Sequence, residues 1–308
     1  MSRIVFFGTP EFAVPSLEAL IREGTMVVGV VTQPDRPRGR SRSSLVPPPV
    51  KVAAEAAGIP VLQPEKPIGD LFLTALRRLQ PDLGVVVAYG HILRPEVLAI
   101  PREGMINVHA SLLPRLRGAA PIQWAIANGE SVTGISIMQM EEGLDSGPVL
   151  HTIPTPIEPD ETGGQLTERL AHLGATALVE ALAMRRIGAI TPTPQDHSQA
   201  TYAPKITRET ARIDWNADAE SIVARIRAFD PVPGAWTVLG GTELKLFDAR
   251  AVDAAGVPGT ILEAGGPLVV AARTGGVAIR EVQPAGRRRM PVADWLHGRP
   301  ATAGARLG

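Results

Sequence analysis

The sequence predicts an α/β fold: a doubly wound, mostly parallel, Rossmann-like sheet followed by a small β-barrel that resembles an oligonucleotide-binding (OB) fold. Short apolar runs alternate with amphipathic runs through the first 187 residues. Glycine and proline then concentrate in residues 188–206, and short alternating runs between glycine and proline turns follow. From these observations we predict an α/β domain over residues 1–190, a linker over 191–206 and a barrel domain over 207–308.

The first elements of the sheet can be identified in residues 3–24. Residues 3–7 form an apolar run that predicts a strand, and Gly8-Thr9-Pro10 turns the chain. Apolar side chains then recur at helical spacing from Phe12 to Ile21, and Gly24 ends the helix. Further apolar or β-branched runs predict buried strands at residues 26–32, 60–62, 83–88 and 105–109, with helices between them.

The alternation continues through the rest of the α/β domain. Pro121 suits a first helical turn and Gly129 a helix end, so residues 122–128 are predicted to be helical. The elements predicted after this helix are two strands and a long amphipathic helix, at residues 134–140, 148–155 and 165–187.

The second domain is predicted to open with a helix. Asn216 can cap its start, because an asparagine side chain accepts a hydrogen bond from a free amide of the first turn, and Asp230-Pro231 ends it. Its apolar positions share one face: Ile222, Val223, Ile226 and Phe229. The strands predicted for the barrel are residues 242–247, 259–262, 268–272 and 276–282.

Composition excludes several classes of protein. Hydrophobic residues make up 44% of the chain, which suits a globular core and excludes a disordered chain. Because the chain has no cysteine, it carries no disulfide, thiolate zinc site or cysteine nucleophile. No apolar run reaches the length of a signal-peptide core or a membrane span, so we expect a cytoplasmic protein without a membrane partner.

The charges balance overall but not locally. The 31 Lys and Arg residues equal the 31 Asp and Glu residues, a total that argues against a nucleic-acid coat. Residues 273–308, however, contain seven arginines against two acids. A second basic cluster lies in residues 36–51, which hold no acid, and consists of Arg36, Arg38, Arg40, Arg42 and Lys51. These clusters indicate either a phosphate-bearing partner or a solvated face.

The first candidate site is at the end of the predicted strand 105–109. Ligands bind outside the carboxyl ends of parallel strands, and Asn107 and His109 point to one face because they are two residues apart. Such an amide and imidazole can polarise a carbonyl oxygen. The alternative is a strand-capping asparagine with a hydrogen-bonded core histidine. Leu112-Leu113-Pro114 favours the functional interpretation, since proline fixes a loop that exposes neighbouring backbone groups.

The second candidate is Asp145, in a loop flanked by Gly143 and Gly147. An aspartate near a histidine can orient the imidazole and collect a proton from an amine. The alternative is an ordinary turn residue. No two of the six histidines are three or four residues apart, and the sequence has no Walker loop and no G-x-G-x-x-G. Neither a metal nor a nucleotide cofactor is therefore indicated.

Residues 106–114 and 134–147, which contain the two candidate sites, resemble segments of the methionyl-tRNA formyltransferase family. This family belongs to the folate-dependent formyltransferases, and its formyl donor is 10-formyltetrahydrofolate. The resemblance covers nearly all 308 residues. The strand-end Asn-x-His and the later Leu144-Asp145-Ser146-Gly147 are shared by folate-dependent formyltransferases in general. The segments that distinguish the tRNA enzymes from sugar-nucleotide formyltransferases are Gly8-Thr9-Pro10 and Gln33-Pro34-Asp35-Arg36-Pro37.

The resemblance implies roles for the candidate residues. Asn107 and His109 would stabilise the oxyanion formed when an amine attacks the formyl carbon, while Asp145 would orient His109 and take up the amine proton. It places tetrahydrofolate against Ser111, Leu112, Leu113 and Pro114. It assigns initiator methionyl-tRNA to the basic loop with Arg36, Arg38, Arg40, Arg42 and Lys51. It also implies a monomer that needs no metal.

Three functions remain open at this point. The first is formylation of methionyl-initiator-tRNA, the second formylation of a small amine such as an amino-sugar nucleotide, and the third RNA binding without catalysis. Salt dependence separates the first two, because only a tRNA acceptor requires several phosphates to be neutralised.

Overall fold

A computed structural model describes residues 2–38, 44–298 and 301–308 of the chain. It forms two compact units. The first comprises Met1–Gly118, Thr133–Thr155 and Thr167–Tyr202, and the second Ala119–Val132, Pro156–Leu166 and Ala203–Gly308. The chain crosses from the first unit to the second for the last time after Tyr202, within the segment predicted to be a linker. The division into an α/β domain over 1–190, a linker over 191–206 and a barrel domain over 207–308 stays a prediction.

Most strands and helices up to residue 203 alternate along the chain, as the apolar pattern predicts. The strands are β1 (Ile4–Gly8), β2 (Val27–Val31), β3 (Arg36–Arg38), β4 (Ser44–Val46), β5 (Val61–Leu62), β6 (Leu83–Val87), β7 (Met105–His109), β8 (Arg117–Gly118), β9 (Val132–Gln139), β10 (Val149–Pro156) and β11 (Tyr202–Ala203). The helices are α1 (Val14–Arg22), α2 (Pro49–Ala56), α3 (Asp70–Arg78), α4 (Pro95–Leu98), α5 (Pro121–Ala127) and α6 (Gly163–Arg186).

The first unit is built on a seven-stranded sheet of order β10-β9-β7-β6-β1-β2-β5. Five neighbouring strands of this sheet are parallel: β7, β6, β1, β2 and β5. β9 runs antiparallel to β7. Every residue of β1 and of β6 is buried, as expected for parallel strands covered on both faces. The predicted fold class, a mostly parallel doubly wound sheet, is confirmed.

Strand order determines where a ligand can bind. From β1 the chain adds β2 and β5 on one side and then β6 and β7 on the other, so the order reverses between β1 and β6. In open α/β sheets the ligand crevice lies at the carboxyl ends of the strands beside such a reversal. β7 lies next to β6, and His109 is its last residue.

The second unit contains an antiparallel sheet, which also agrees with the predicted fold class. Its strands follow the order β12-β13-β16-β15-β14, and β17 pairs with β16. Bridges from Leu307 to Leu239 and from Arg306 to Thr260 join the final residues to both edge strands, so the sheet closes on itself. The elements are α7 (Ala219–Ala228), β12 (Ala235–Leu239), β13 (Thr242–Val252), β14 (Ile261–Ala264), β15 (Leu268–Ala271), β16 (Gly276–Pro284), β17 (Met290–Pro291) and α8 (Val292–Gly298).

The prediction that Asn216 caps the helix of this unit is wrong. The residue at the N-cap position of α7 is Asp218. The backbone amide and the side chain of Asn216 instead donate to the Asp214 carboxylate, at 3.0 and 3.2 Å. This local turn satisfies Asn216 before the helix begins. Among the described residues, no helix combines the length and apolar character that a membrane crossing requires.

Candidate active site

The site begins with two polar side chains on β7. Asn107 and His109 are paired across the sheet with Met138 and Ser136 of β9, so both project from the same face of the strand. His109 is 5% exposed. Asn107 is half-buried, and within the described residues its carboxamide makes no hydrogen bond. The amide is therefore available to a ligand.

The contacts of the His109 ring fix its tautomer. Nε2 lies 3.0 Å from the backbone oxygen of Leu116. Because a carbonyl only accepts hydrogen bonds, this nitrogen carries a proton. Nδ1 lies 3.7 Å from Oδ2 of Asp145. In the neutral ring Nδ1 is thus the free lone pair, and it faces a carboxylate at a distance longer than a hydrogen bond.

Asp145 is held in an unusual backbone conformation. Its φ is 47°, in the left-handed region that non-glycine residues seldom adopt. Oδ2 accepts a 2.8 Å hydrogen bond from the backbone N–H of Gly118. A Cβ added at Gly147 would clash with the backbone oxygen of Gln139, so only glycine fits at this position of the loop. Strain of this kind persists where the surroundings determine the geometry, and it is common in functional sites.

Two residues of the site escaped prediction. Leu116 contacts His109 through its carbonyl, and Gly118 contacts Asp145 through its amide. Because both act through the backbone, a pattern of side-chain types cannot identify them. The nearest signal in the sequence is Arg117-Gly118-Ala119-Ala120-Pro121, whose glycine and proline indicate a turn but assign no role to its backbone groups.

The loop after β7 lies against the site, with Ser111 at its base. The Ser111 hydroxyl donates to the backbone oxygen of Arg115 at 2.6 Å, and Ser111 is 1% exposed. Ser136 of β9 completes the loop, since its hydroxyl donates to the Ser111 carbonyl and accepts from the Leu113 amide. Ser111 therefore shapes the loop, while the half-buried Leu112, Leu113 and Pro114 are the residues available to line a ligand site.

The basic loop is only partly described by the structure. Arg36 and Arg38 lie on β3, which pairs antiparallel with β4, whereas Arg40 and Arg42 fall outside the described residues. The Arg36 side chain is 61% exposed and lies 3.8 Å from Glu65. Lys51 differs: its Nζ is 2.9 and 2.8 Å from the Asp35 carboxylate oxygens.

Asp35 compensates the charge of Lys51. Hydrogen bonds from Gln63 and then from Lys51 lower the pKa of Asp35, which favours its carboxylate form beside the Lys51 ammonium. Asp35 lies immediately before residues 36–51, so the absence of acids within that stretch does not mean that Lys51 has no acid partner. Lys51 is accordingly not a free cation for a phosphate.

The C-terminal arginines differ in whether an acid compensates their charge. Three of them pair with acids: Arg273 with Asp218, Arg280 with Asp248, and Arg289 with Asp230 and Glu281. Arg287 and Arg288 are exposed and have no ion pair with any described residue. Arg306 also has no acid partner among the described residues and donates to the Pro258 carbonyl at 3.2 Å, and Arg299 lies outside the described residues. Within the described parts of the chain, no group of three potential ligands could hold a metal ion.

Comparison with known proteins identifies relatives over nearly the whole chain. Residues 2–182 match the family model described as formyl transferase, and residues 205–300 match the formyl transferase C-terminal domain. A methionyl-tRNA formyltransferase from Pelobacter propionicus is 49% identical over 306 residues, which are 99% of this chain and 96% of the relative.

Solved structures with the same fold include more distant proteins. WlaRD, a sugar 3N-formyl transferase solved with dTDP and 5-N-formyl-THF, matches with a TM-score of 0.68 at 15% identity, over 94% of this chain and 99% of WlaRD. HypX from Aquifex aeolicus in complex with tetrahydrofolic acid matches with a TM-score of 0.64 at 22% identity, over 96% of this chain and 47% of HypX. The chain thus spans about half the length of HypX. At these identities the similarity is one of fold.

Proposed function

The chain belongs to the formyl transferase family, and from this premise we propose that it transfers the formyl group of 10-formyltetrahydrofolate to the α-amine of methionyl-initiator-tRNA. The product is the formylmethionyl-tRNA used in translation initiation. The observation that carries the proposal is the 49% identity to a methionyl-tRNA formyltransferase across 99% of the chain, including the second domain. The geometry at the end of β7 supports it.

The reaction requires a donor for a developing oxyanion. When the amine attacks the formyl carbon, negative charge grows on the formyl oxygen, and a pre-positioned donor there is usually the largest catalytic contribution. The Asn107 carboxamide fits this role, because it is half-buried and makes no hydrogen bond to described residues. We assign it to the formyl oxygen, together with His109, which projects from the same face of β7.

The reaction also requires a group that accepts the amine proton. The Asp145 carboxylate fits, since its Oδ2 is positioned by the Gly118 amide at 2.8 Å and lies 3.7 Å from Nδ1 of His109. Asp145 takes up the amine proton directly or through water and orients His109. The bond between the formyl carbon and the folate nitrogen then breaks, and that nitrogen receives a proton, which gives tetrahydrofolate and the formylated amine. Positioning and charge stabilisation by these groups account for the transfer without a metal.

The substrate contacts complete the proposal. Leu112, Leu113 and Pro114 offer a half-buried, mainly apolar wall for the tetrahydrofolate, and Ser111 fixes their loop. For the tRNA acceptor arm we propose Arg36, Arg38, Arg40 and Arg42, while the compensated Lys51 serves to anchor α2 to Asp35. The proposal includes a monomeric state, as the family resemblance implies, and the cytoplasmic location expected from the sequence.

The test is incubation of the protein with 10-formyltetrahydrofolate and charged initiator tRNA. We expect formylmethionine on the initiator and much less on a charged elongator tRNA. A parallel reaction offers an amino-sugar nucleotide as acceptor. Formylation of the sugar without formylation of the tRNA would replace this proposal with the small-amine alternative, and no transfer to either acceptor would reject both.

A further inference from the structure

Three consecutive residues connect the separate parts of the candidate active site. The Leu116 carbonyl accepts from His109, and the Gly118 amide donates to Asp145. Between them, the Arg117 side chain turns inward and is 4% exposed. Its partners have no role in the function proposed above.

The Arg117 guanidinium is bound by neutral groups alone. Nε and Nη2 donate to Oε1 of Gln195 at 3.1 and 2.6 Å, and Nη2 also donates to Nδ1 of His197 at 3.0 Å. No carboxylate of the described residues lies within ion-pair distance of it. A buried cation without a counter-charge is costly, which favours a functional reason for its retention.

Arg117 determines which way the Gln195 amide faces. A guanidinium only donates, so Oε1 of Gln195 must point toward Arg117 and Nε2 away from it. Nε2 has two hydrogens, and both are used: they reach the backbone oxygens of Asp145 at 2.9 Å and of Gly147 at 2.7 Å. Gln195 is itself 8% exposed. Its amide therefore holds the carbonyl of Asp145, the residue whose φ is strained, and the carbonyl two residues after it.

We propose that Gln195, oriented by Arg117, is a positioning residue that fixes the Asp145 backbone so that its carboxylate faces Nδ1 of His109. Gln195 touches neither reacting group. It acts by holding the left-handed conformation of Asp145, and it comes from a segment about 50 residues downstream, predicted from composition to be a linker. The catalytic consequence rests on the function proposed above.

The test uses Gln195→Glu, which keeps the contact with Arg117 and removes the two hydrogen bonds to the Asp145 loop. A glutamate still accepts from Arg117 but cannot donate, so it presents an oxygen to two carbonyl oxygens and displaces the loop. We expect kcat to fall about 100-fold, since small misplacements of catalytic groups have effects of that order. The KM values for the formyl donor and the tRNA should change less than about threefold, because Gln195 is buried and, within the described residues, its side chain bonds only to Arg117 and the Asp145 loop.

The control is Asp196→Asn at the adjacent position. Asp196 is exposed, and its side chain bonds locally to Ser198 and Gln199 rather than to the Asp145 loop. We expect wild-type kcat. Arg117→Lys provides a second test that keeps the charge but loses the two-nitrogen contact with Gln195; it should lower kcat in the same way, and a wild-type kcat in this variant would overturn the proposal.

Hydrogen exchange gives a readout that needs no substrate. The Gly118 amide is protected by Asp145, so displacement of the loop should speed its exchange in Gln195→Glu and leave it unchanged in Asp196→Asn. Failure of the wild type to formylate methionyl-tRNA would reject the proposed function while leaving this result intact. A full kcat in Gln195→Glu, or a low kcat with wild-type protection of Gly118, would overturn the positioning role.

Discussion

At the residue scale, the candidate site combines two side chains from one strand with one from a distant loop. Asn107 and His109 can be paired from the sequence, because residues two apart on a strand share a face. Their proximity to Asp145 follows from tertiary structure, and only the resemblance suggested it. The Leu116 and Gly118 contacts escape prediction altogether, since any residue type supplies the same backbone groups.

The first prediction concerns the carboxylate of Asp145. Asp145→Asn keeps the side-chain shape and removes the charge that faces His109, so we expect turnover to fall about 100-fold or more at an unchanged melting temperature. His109→Ala should have an effect of the same order. Steady-state formylation kinetics measure both.

The matched control for Asp145→Asn is Glu142→Gln. Glu142 is an exposed acid of the same loop, and neutralising it should leave turnover within about twofold. Near-normal turnover in Asp145→Asn, or an equal loss in Glu142→Gln, would remove Asp145 from the mechanism.

The second prediction concerns Tyr89, which is 2% exposed and belongs to the same apolar core cluster as Val5, Phe7 and Val86. Its hydroxyl has no hydrogen-bond partner among the described residues, and burial raises the pKa of Tyr89 to about 12. Because this folded-state pKa lies above the usual value of 10, the stabilisation from keeping the phenol neutral is present below pH 10. It is lost as the pH rises from 10 to 12.

Tyr89→Phe should therefore remove the loss of folding stability that ionisation of this phenol causes between pH 10 and 12. At pH 7 the variant should be as stable as the wild type or more stable, since no hydrogen bond is broken and an unsatisfied group is removed. Between pH 10 and 12 its free energy of unfolding should decline less steeply. Urea unfolding at pH 7 and pH 11 checks both statements, and a large destabilisation at pH 7 would show that the hydroxyl has a partner.

At the element scale, the strands of the parallel sheet were the most predictable part of the fold. Continuous apolar runs predicted β1, β6 and β7 to within one residue, because strands buried on both faces need no polar positions. β12 was missed because its five residues follow directly after a proline and glycine turn. Its identity as a strand depends on pairing with β13, which the local sequence does not encode.

The third prediction concerns the packing of β9 against the loop after β7. A Cβ at Gly134 would clash with the Ile153 carbonyl and would approach Cδ2 of Leu112 to 2.6 Å. Gly134→Ala should lower the free energy of unfolding by about 1–3 kcal/mol, the range for overpacked positions. Gly298→Ala is the control, because nothing lies within 4 Å of a Cβ there. Equal stability of the two variants in urea would contradict the packing argument.

At the scale of the whole molecule, zero net charge conceals the distribution that matters. The sequence identifies the two basic clusters but does not show which charges are compensated. Folding pairs Lys51 with Asp35. It also pairs three C-terminal arginines with acids that lie more than 30 residues earlier in the chain: Arg273 with Asp218, Arg280 with Asp248 and Arg289 with Asp230. Among the described C-terminal arginines, three have no acid partner: Arg287, Arg288 and Arg306. Arg306 donates instead to the Pro258 carbonyl, so Arg287 and Arg288 are the two whose side chains make no hydrogen bond to a described residue.

This distribution leads to the fourth prediction. A cation that contacts a phosphate releases counterions, and each such contact contributes about 0.7 to 0.9 to the slope of log affinity against log salt. Replacing both Arg287 and Arg288 by alanine should lower that slope for tRNA by between about 1 and 2. Replacing the paired Arg273 and Arg280 should lower it less, because their charges are already partly compensated by Asp218 and Asp248.

Binding of charged initiator tRNA at several salt concentrations measures the two slopes directly. Both double variants remove two positive charges, so any effect of net charge alone is the same in each. A larger loss of slope in the Arg287 and Arg288 variant thus reports local contact with phosphates. Equal losses would show that the tRNA responds to the overall field of the protein, in which case pairing within the fold would not determine which arginines it uses.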